Sequence, residues 1–203
     1  MSMSHESLRE AIDELDMLKM AILLENPGHM KPHPAFGDTS ALHYAAYKVT
    51  TLDVLQLILS KYNDINVLDS KGRTALHWAC IESGNIHSLR LLLEKGIDVN
   101  VRPFGGRTAY ENVCGKELLD LIAVFIDFGA DVNAQNTMGY TPLHMACMAG
   151  KKPLIRHFMV HGADPNIKSN AGYSPADLAK KFGYTEMLEE LYMCTDHTGG
   201  ARP

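Results

Sequence analysis

Ten histidines and four cysteines in 203 residues are the side chains best equipped for chemistry. His77-x-x-Cys80 and His144-x-x-Cys147 each set an imidazole and a thiol one helical turn apart. Two such pairs have the ligand types of a tetrahedral zinc site. Gly105-Gly106-Arg107-Thr108 has the glycines of a phosphate cradle, but neither the spacing nor the Lys of a P-loop. Whether any of these groups converge depends on the elements that carry them.

Those elements repeat. Thr74-Ala75-Leu76-His77 returns as Thr141-Pro142-Leu143-His144, and in weaker forms as Ser40-Ala41-Leu42-His43, Thr108-Ala109-Tyr110-Glu111 and Ser174-Pro175-Ala176-Asp177. The first positions, 40, 74, 108, 141 and 174, are separated by steps of 34, 34, 33 and 33. Apolar helix patterns ending in Gly96, Gly129 and Gly162 follow in phase, then polar turns such as Ile97-Asp98-Val99-Asn100 and Ala130-Asp131-Val132-Asn133. Thr or Ser at the start caps free N–H groups, and Pro at the next position has the right φ and no N–H to satisfy. One helix pair cannot bury its own apolar face, so every unit needs neighbours.

The register removes the zinc site. Cys80 and Cys147 occupy equivalent positions, and Cys114 occupies the same position in the unit between them. Stacked units put these sulfurs about 8–10 Å apart. Zinc needs thiolates at about 2.3 Å and a disulfide needs Cα atoms within about 7 Å. Small Cys in place of Ala in a tight interhelical seam accounts for all three. No nucleophile–base pair or carboxylate pair stands outside the repeat, so no catalytic residue, metal or cofactor is expected, and the chain is not expected to be an enzyme.

The units resemble ankyrin repeats, whose pattern runs roughly Gly-x-Thr-Pro-Leu-His-x-Ala-Ala, a second helix, then Gly-Ala-Asp-x-Asn. The likeness covers about residues 36–192. It implies an all-α solenoid of stacked helix-turn-helix units with β-hairpin-like loops, about five in number. Residues 1–35 read as a degenerate N-terminal capping repeat: Ser7-Leu8-Arg9-Glu10 fits a capping box, and Leu8, Ala11, Ile12, Leu15, Leu18 and Ile22 keep helical spacing. Residues 193–203 read as a disordered tail. The resemblance gives His43, His77 and His144 a structural role, bonding backbone in adjoining loops. In the third unit Tyr110-Glu111 replaces Leu-His after Pro103-Phe104-Gly105-Gly106, which marks that loop as the expected soft joint.

Ankyrin proteins bind partners through loop tips and the exposed side of each first helix. The matching loop-tip positions here include Phe36, Lys71, Arg73, Phe104, Arg107, Met138, Tyr140, Asn170 and Tyr173. The first helices add Tyr44, Tyr47, Trp78, Ile81, Glu82, Lys116, Met145, Met148 and Phe182. Aromatics, Met and Arg are what interface cores favour. Trp78 and Met145 also suit sideways packing on neighbouring repeats. Lys71, Arg73, Arg102 and Arg107 make the loops of the second and third units basic, either as a seat for an acidic segment or as solvated loops. The turn at Asn100, with Leu92, Asp98 and Val99, resembles the context modified by an oxygen-dependent asparaginyl hydroxylase.

Bulk composition narrows the partner. A net charge of −5 at pI near 6.0 gives little attraction for phosphate backbones, so no nucleic acid is expected. The apolar run Ala21-Ile22-Leu23-Leu24 is far short of the roughly 20 residues of a membrane span, and Glu6, Glu10, Asp13 and Glu14 do not suit a signal peptide. The expectation is a cytoplasmic or nuclear adaptor, monomeric on its own, binding a protein partner on its concave face. Two narrower readings are a sequestering protein resembling the kappa-B inhibitors and a substrate-recruiting subunit of a larger complex such as a ubiquitin ligase. The first rests on about six units and on Gly37-Asp38-Thr39, without the phosphorylated degradation motifs or acidic tail of that family. The second would need a docking domain that about ten tail residues do not supply.

Overall fold

The computed structural model describes residues 5–26, 39–48, 51–81, 86–104, 106–115 and 118–193. Phe36, Gly37-Asp38, Glu82, Gly105, Lys116 and residues 194–203 lie outside these residues. The helices are α1 (His5–Glu14), α2 (Met17–Leu23), α3 (Ala41–Lys48), α4 (Leu52–Leu59), α5 (Ala75–Ala79) and α6 (Ile86–Glu94), then α7 (Ala109–Gly115), α8 (Leu119–Asp127), α9 (Pro142–Met148), α10 (Lys152–Val160), α11 (Pro175–Lys181) and α12 (Leu188–Met193). A 3₁₀ turn, Thr185–Met187, precedes α12. The described residues hold no strand, and no helix among them is long and apolar enough to cross a membrane.

The fourth repeat shows how a unit is built. Thr141 caps α9: its Oγ lies 3.4 Å from the His144 N–H it accepts. His144 Nδ1 accepts in return from the Thr141 N–H at 3.1 Å and from its hydroxyl at 2.8 Å. Pro142 supplies the first helical residue at no cost in donors. In the second helix, apolar side chains at i, i+1, i+4 and i+5 face inward, as Leu154, Ile155, Phe158 and Met159 do in α10. Phe158 is fully buried, which alone contributes about 1.5–3 kcal/mol. Gly162 closes α10 at φ +86°, and the Ala163 N–H bonds back to the Phe158 carbonyl at 2.9 Å. That left-handed closure is why the position is glycine.

The chain divides into two compact units, residues 1–112 and 113–203. The division falls inside α7, in the third repeat. In the first unit, α1 and α2 form a pair whose inner side buries Leu8, Ala11, Ile12, Met20, Leu23 and Leu24. The helical spacing from Leu8 to Ile22 is divided between the two helices. Leu15 turns at φ +60° and Asp16 caps a new helix by accepting from the Lys19 N–H at 2.9 Å, which swings Leu18 and Ile22 outward. Because α1 starts at His5, Ser7 sits in its first turn and not at its cap.

Candidate protein-interaction surface

In the first unit the loop before α5 is organised by Asp69. Its Oδ1 accepts from the N–H groups of Lys71 at 2.8 Å and Arg73 at 2.9 Å. Its Oδ2 accepts from Arg73 Nε at 2.8 Å and from the Trp78 indole at 3.0 Å. Burial works to raise the carboxyl's pKa, but these four donors outweigh it and hold it below the usual range. The Arg73 guanidinium stacks 4.3 Å from the Trp78 ring, and Tyr47 from α3 meets the same ring edge-on at 5.8 Å. Trp78 is therefore half-buried and tethered at both ends. It forms the floor of a platform whose exposed members are Tyr47 and Ile81.

Phe104 lies beside this platform. Its N–H donates to the Lys71 carbonyl at 3.2 Å, and its ring passes Gly72 while remaining 82% exposed. Arg107 is also exposed. Tyr44 does not join the group. It is 8% exposed, and its hydroxyl donates to the Asp13 carboxylate at 2.7 Å while accepting from Arg9 Nε at 3.4 Å. Tyr44 and Trp78 share one repeat position, but α1 covers the first of them. Tyr44 thus ties the N-terminal pair to the first full repeat, and the structure offers no open face for it to present.

The second unit carries its own set. Asn136 takes the place of Asp69, its Oδ1 accepting from Met138 N at 2.9 Å and Tyr140 N at 3.0 Å. Met138 is 64% exposed at the loop tip. Tyr140 packs against His144 at 5.7 Å, and Lys181 lies 4.6 Å over the ring of the exposed Tyr173. Met145 and Met148 on α9 are half-buried. Successive loops are joined by backbone: Asn170 N–H donates to Met138 O at 3.1 Å, and Asn170 Nδ2 to Thr137 O at 3.0 Å.

The repeat histidines link these loops from beneath. Because Nδ1 accepts from the capping N–H, the ring proton belongs on Nε2, which donates onward: His43 to Arg73 O at 2.9 Å, His144 to Tyr173 O at 3.0 Å. Burial holds the pKa values of both rings below the ordinary histidine value. His77 keeps its bonds to Thr74, but its Nε2 completes no hydrogen bond, although the carbonyls of Val101 and Arg107 lie nearby. Burial first, and then the Arg73 guanidinium, lower its pKa to about 4. The third repeat, next after His77, departs from the pattern. Pro103 stands where Asp69 and Asn136 organise their turns, and it has no side-chain acceptor to offer. Glu111 stands where three other repeats have His43, His77 and His144, and its carboxylate accepts from Arg102 within the same repeat, one contact at 3.2 Å. A carboxylate has no proton to pass to a later loop. This ion pair was not foreseen from the sequence, although Arg102 and Glu111 sit nine residues apart across one turn.

A family model described as ankyrin repeats (3 copies) matches residues 9–103 and 111–199. The chain belongs to the ankyrin-repeat family. Ankyrin repeats are in general protein–protein interaction modules, and no catalytic family is indicated. A search of the curated proteins finds no match. In this ankyrin protein Cys80, Cys114 and Cys147 are buried and not disulfide-bonded, and burial pushes the Cys147 thiol up to about 12. Asn100 is exposed in the turn after α6, its N–H on Asp98 Oδ1 at 2.9 Å.

Proposed function

We propose that this ankyrin protein is an adaptor that binds a protein partner across its loop tips and first helices. The observation that carries the reading is the exposure of Phe104 and Met138 in the loops before α7 and α9, one in each unit. Exposed apolar side chains next to rigid aromatics have the make-up of interface hot spots. Thiols at Cys80, Cys114 and Cys147 suit a reducing compartment, which supports a cytoplasmic or nuclear setting.

The test is affinity capture with the intact protein and a Phe104→Ser/Met138→Ser variant. These positions suit the purpose better than Trp78, whose loss would also release Asp69 and Tyr47. The expected result is a partner held by the wild type and lost by the variant, with circular dichroism unchanged. A partner held equally by both would place binding elsewhere on the chain.

A further inference from the structure

The second helices of the repeats can be laid on one another by their own register. The position before the closing turn is Ser60, Glu94 and Asp127 in the first three full repeats and Val160 in the fourth. Val160 is 72% exposed. Three residues earlier, Leu57, Leu91 and Val124 are replaced by His157. The fourth repeat thus reverses polarity at two neighbouring positions. An apolar side chain faces water where the others put polar ones, and an imidazole leans inward where the others put aliphatic ones.

The two reversals meet in one groove of about 500 Å³ on the outer side of α8 and α10. Leu119 and Val160 provide its apolar surface, with Lys152, Arg156, His157 and His161 around them. The His157 and His161 rings stack at 4.3 Å, and a 2.8 Å contact joins His161 Nδ1 to the His157 carbonyl. His157 Nε2 is shut off from water and has no hydrogen-bond partner. Both reversals weaken the isolated fold: an exposed valine gains nothing from burial, and an unpaired buried nitrogen loses its hydration.

We infer that this groove docks a segment of a partner protein in which an apolar side chain is flanked by carboxylates. The apolar side chain covers Leu119 and Val160, and a carboxylate pairs with Arg156 and Lys152. Charge complementarity selects the occupant: Lys152 and Arg156 line one small groove, with no carboxylate among its lining residues, in a chain whose net charge is −5. The site lies on the second helices and is separate from the loop-tip surface proposed above.

The experiment is an NMR titration of the full-length, ¹⁵N-labelled protein with a peptide of Leu-Phe flanked on both sides by Asp-Glu-Asp. A counterpart with Lys in place of every acid serves as the control. The mutant is Arg156→Gln/Val160→Asp, which installs side chains this chain already uses at those positions as Gln56 and Asp127. The expected result is saturable shifts at Leu119, Arg156, Val160 and His161 with the acidic peptide only, weakened about tenfold or more in the variant and by added salt. A Phe104→Ser/Met138→Ser protein should bind the peptide unchanged, so loss of one surface is separable from loss of the other. The proposal is overturned by no saturable shift, by equal binding of the basic peptide, or by an unaffected double variant. It is overturned as well by a wild-type dimer that Val160→Asp dissolves, which would give the groove to a second copy.

Discussion

Gly139→Ala should cost the second unit far more than Gly162→Ala, although both glycines are left-handed. Gly139 has φ +74° and Gly162 has φ +86°. A side chain at either pays about 1–2 kcal/mol for that conformation. At Gly162 a new Cβ meets nothing within 4 Å, so the cost stops there. At Gly139 it would lie 2.6 Å from Asn170 N and 2.6 Å from Asn170 Oδ1. The Asn170 backbone must retreat, and its bonds to Met138 O and Thr137 O go with it, at about 0.5–1.5 kcal/mol each. The total at Gly139 is about 2–5 kcal/mol. Urea unfolding followed by circular dichroism reads both variants in the same unit. With a slope of about 1–3 kcal/mol per molar, that excess of about 1–3 kcal/mol should lower the midpoint of Gly139→Ala by about 0.3–3 M beyond that of Gly162→Ala. Equal midpoints would refute the claim that the loop-to-loop contact, and not the φ angle alone, fixes this glycine.

Two further outcomes are expected. Acidification should destabilise the first unit through His77. Its folded pKa of about 4 lies below the unfolded value near 6.5, so the unfolded chain binds the extra proton between them, and stability is full above pH 6.5 and falls toward pH 4. At pH 5 the loss from His77 alone is about 2 kcal/mol, with His43 displaced in the same direction; urea midpoints at pH 7.5 and 5 check it, and an equal or higher midpoint at pH 5 would contradict it. Tyr44→Phe should remove the bond to Asp13 and raise amide exchange in α1 by about tenfold while leaving α9 and α10 unchanged; protection unaltered in α1 would show that apolar packing alone holds the pair.

Much of this was legible in the residues. The steps between Ser40, Thr74, Thr108, Thr141 and Ser174 determine where helices begin, and the hydroxyls of Thr108, Thr141 and Ser174 cap the helices they precede. The same register disposed of the Cys80, Cys114 and Cys147 metal site, since equivalent positions cannot converge. The fate of Tyr44 was not legible: its partner Asp13 lies 31 residues away on a helix whose turn at Leu15 breaks the simple periodicity. Nor was the isolation of His77 Nε2, which depends on how a loop containing Pro103 runs past it. The reversal at His157 and Val160 was written in the register from the start, and became meaningful only once both were seen to line a groove with Leu119.

Site-specific photo-crosslinking in cells tests the account most directly. A photoreactive amino acid would replace Phe104 or Met138 at the loop tips, or Gln56 or Arg90 on the second helices. A shared crosslinked protein is expected from Phe104 and Met138 and none from Gln56 or Arg90. Crosslinks from Gln56 and Arg90 alone would contradict it, because the working surface would then lie on the opposite side of each repeat.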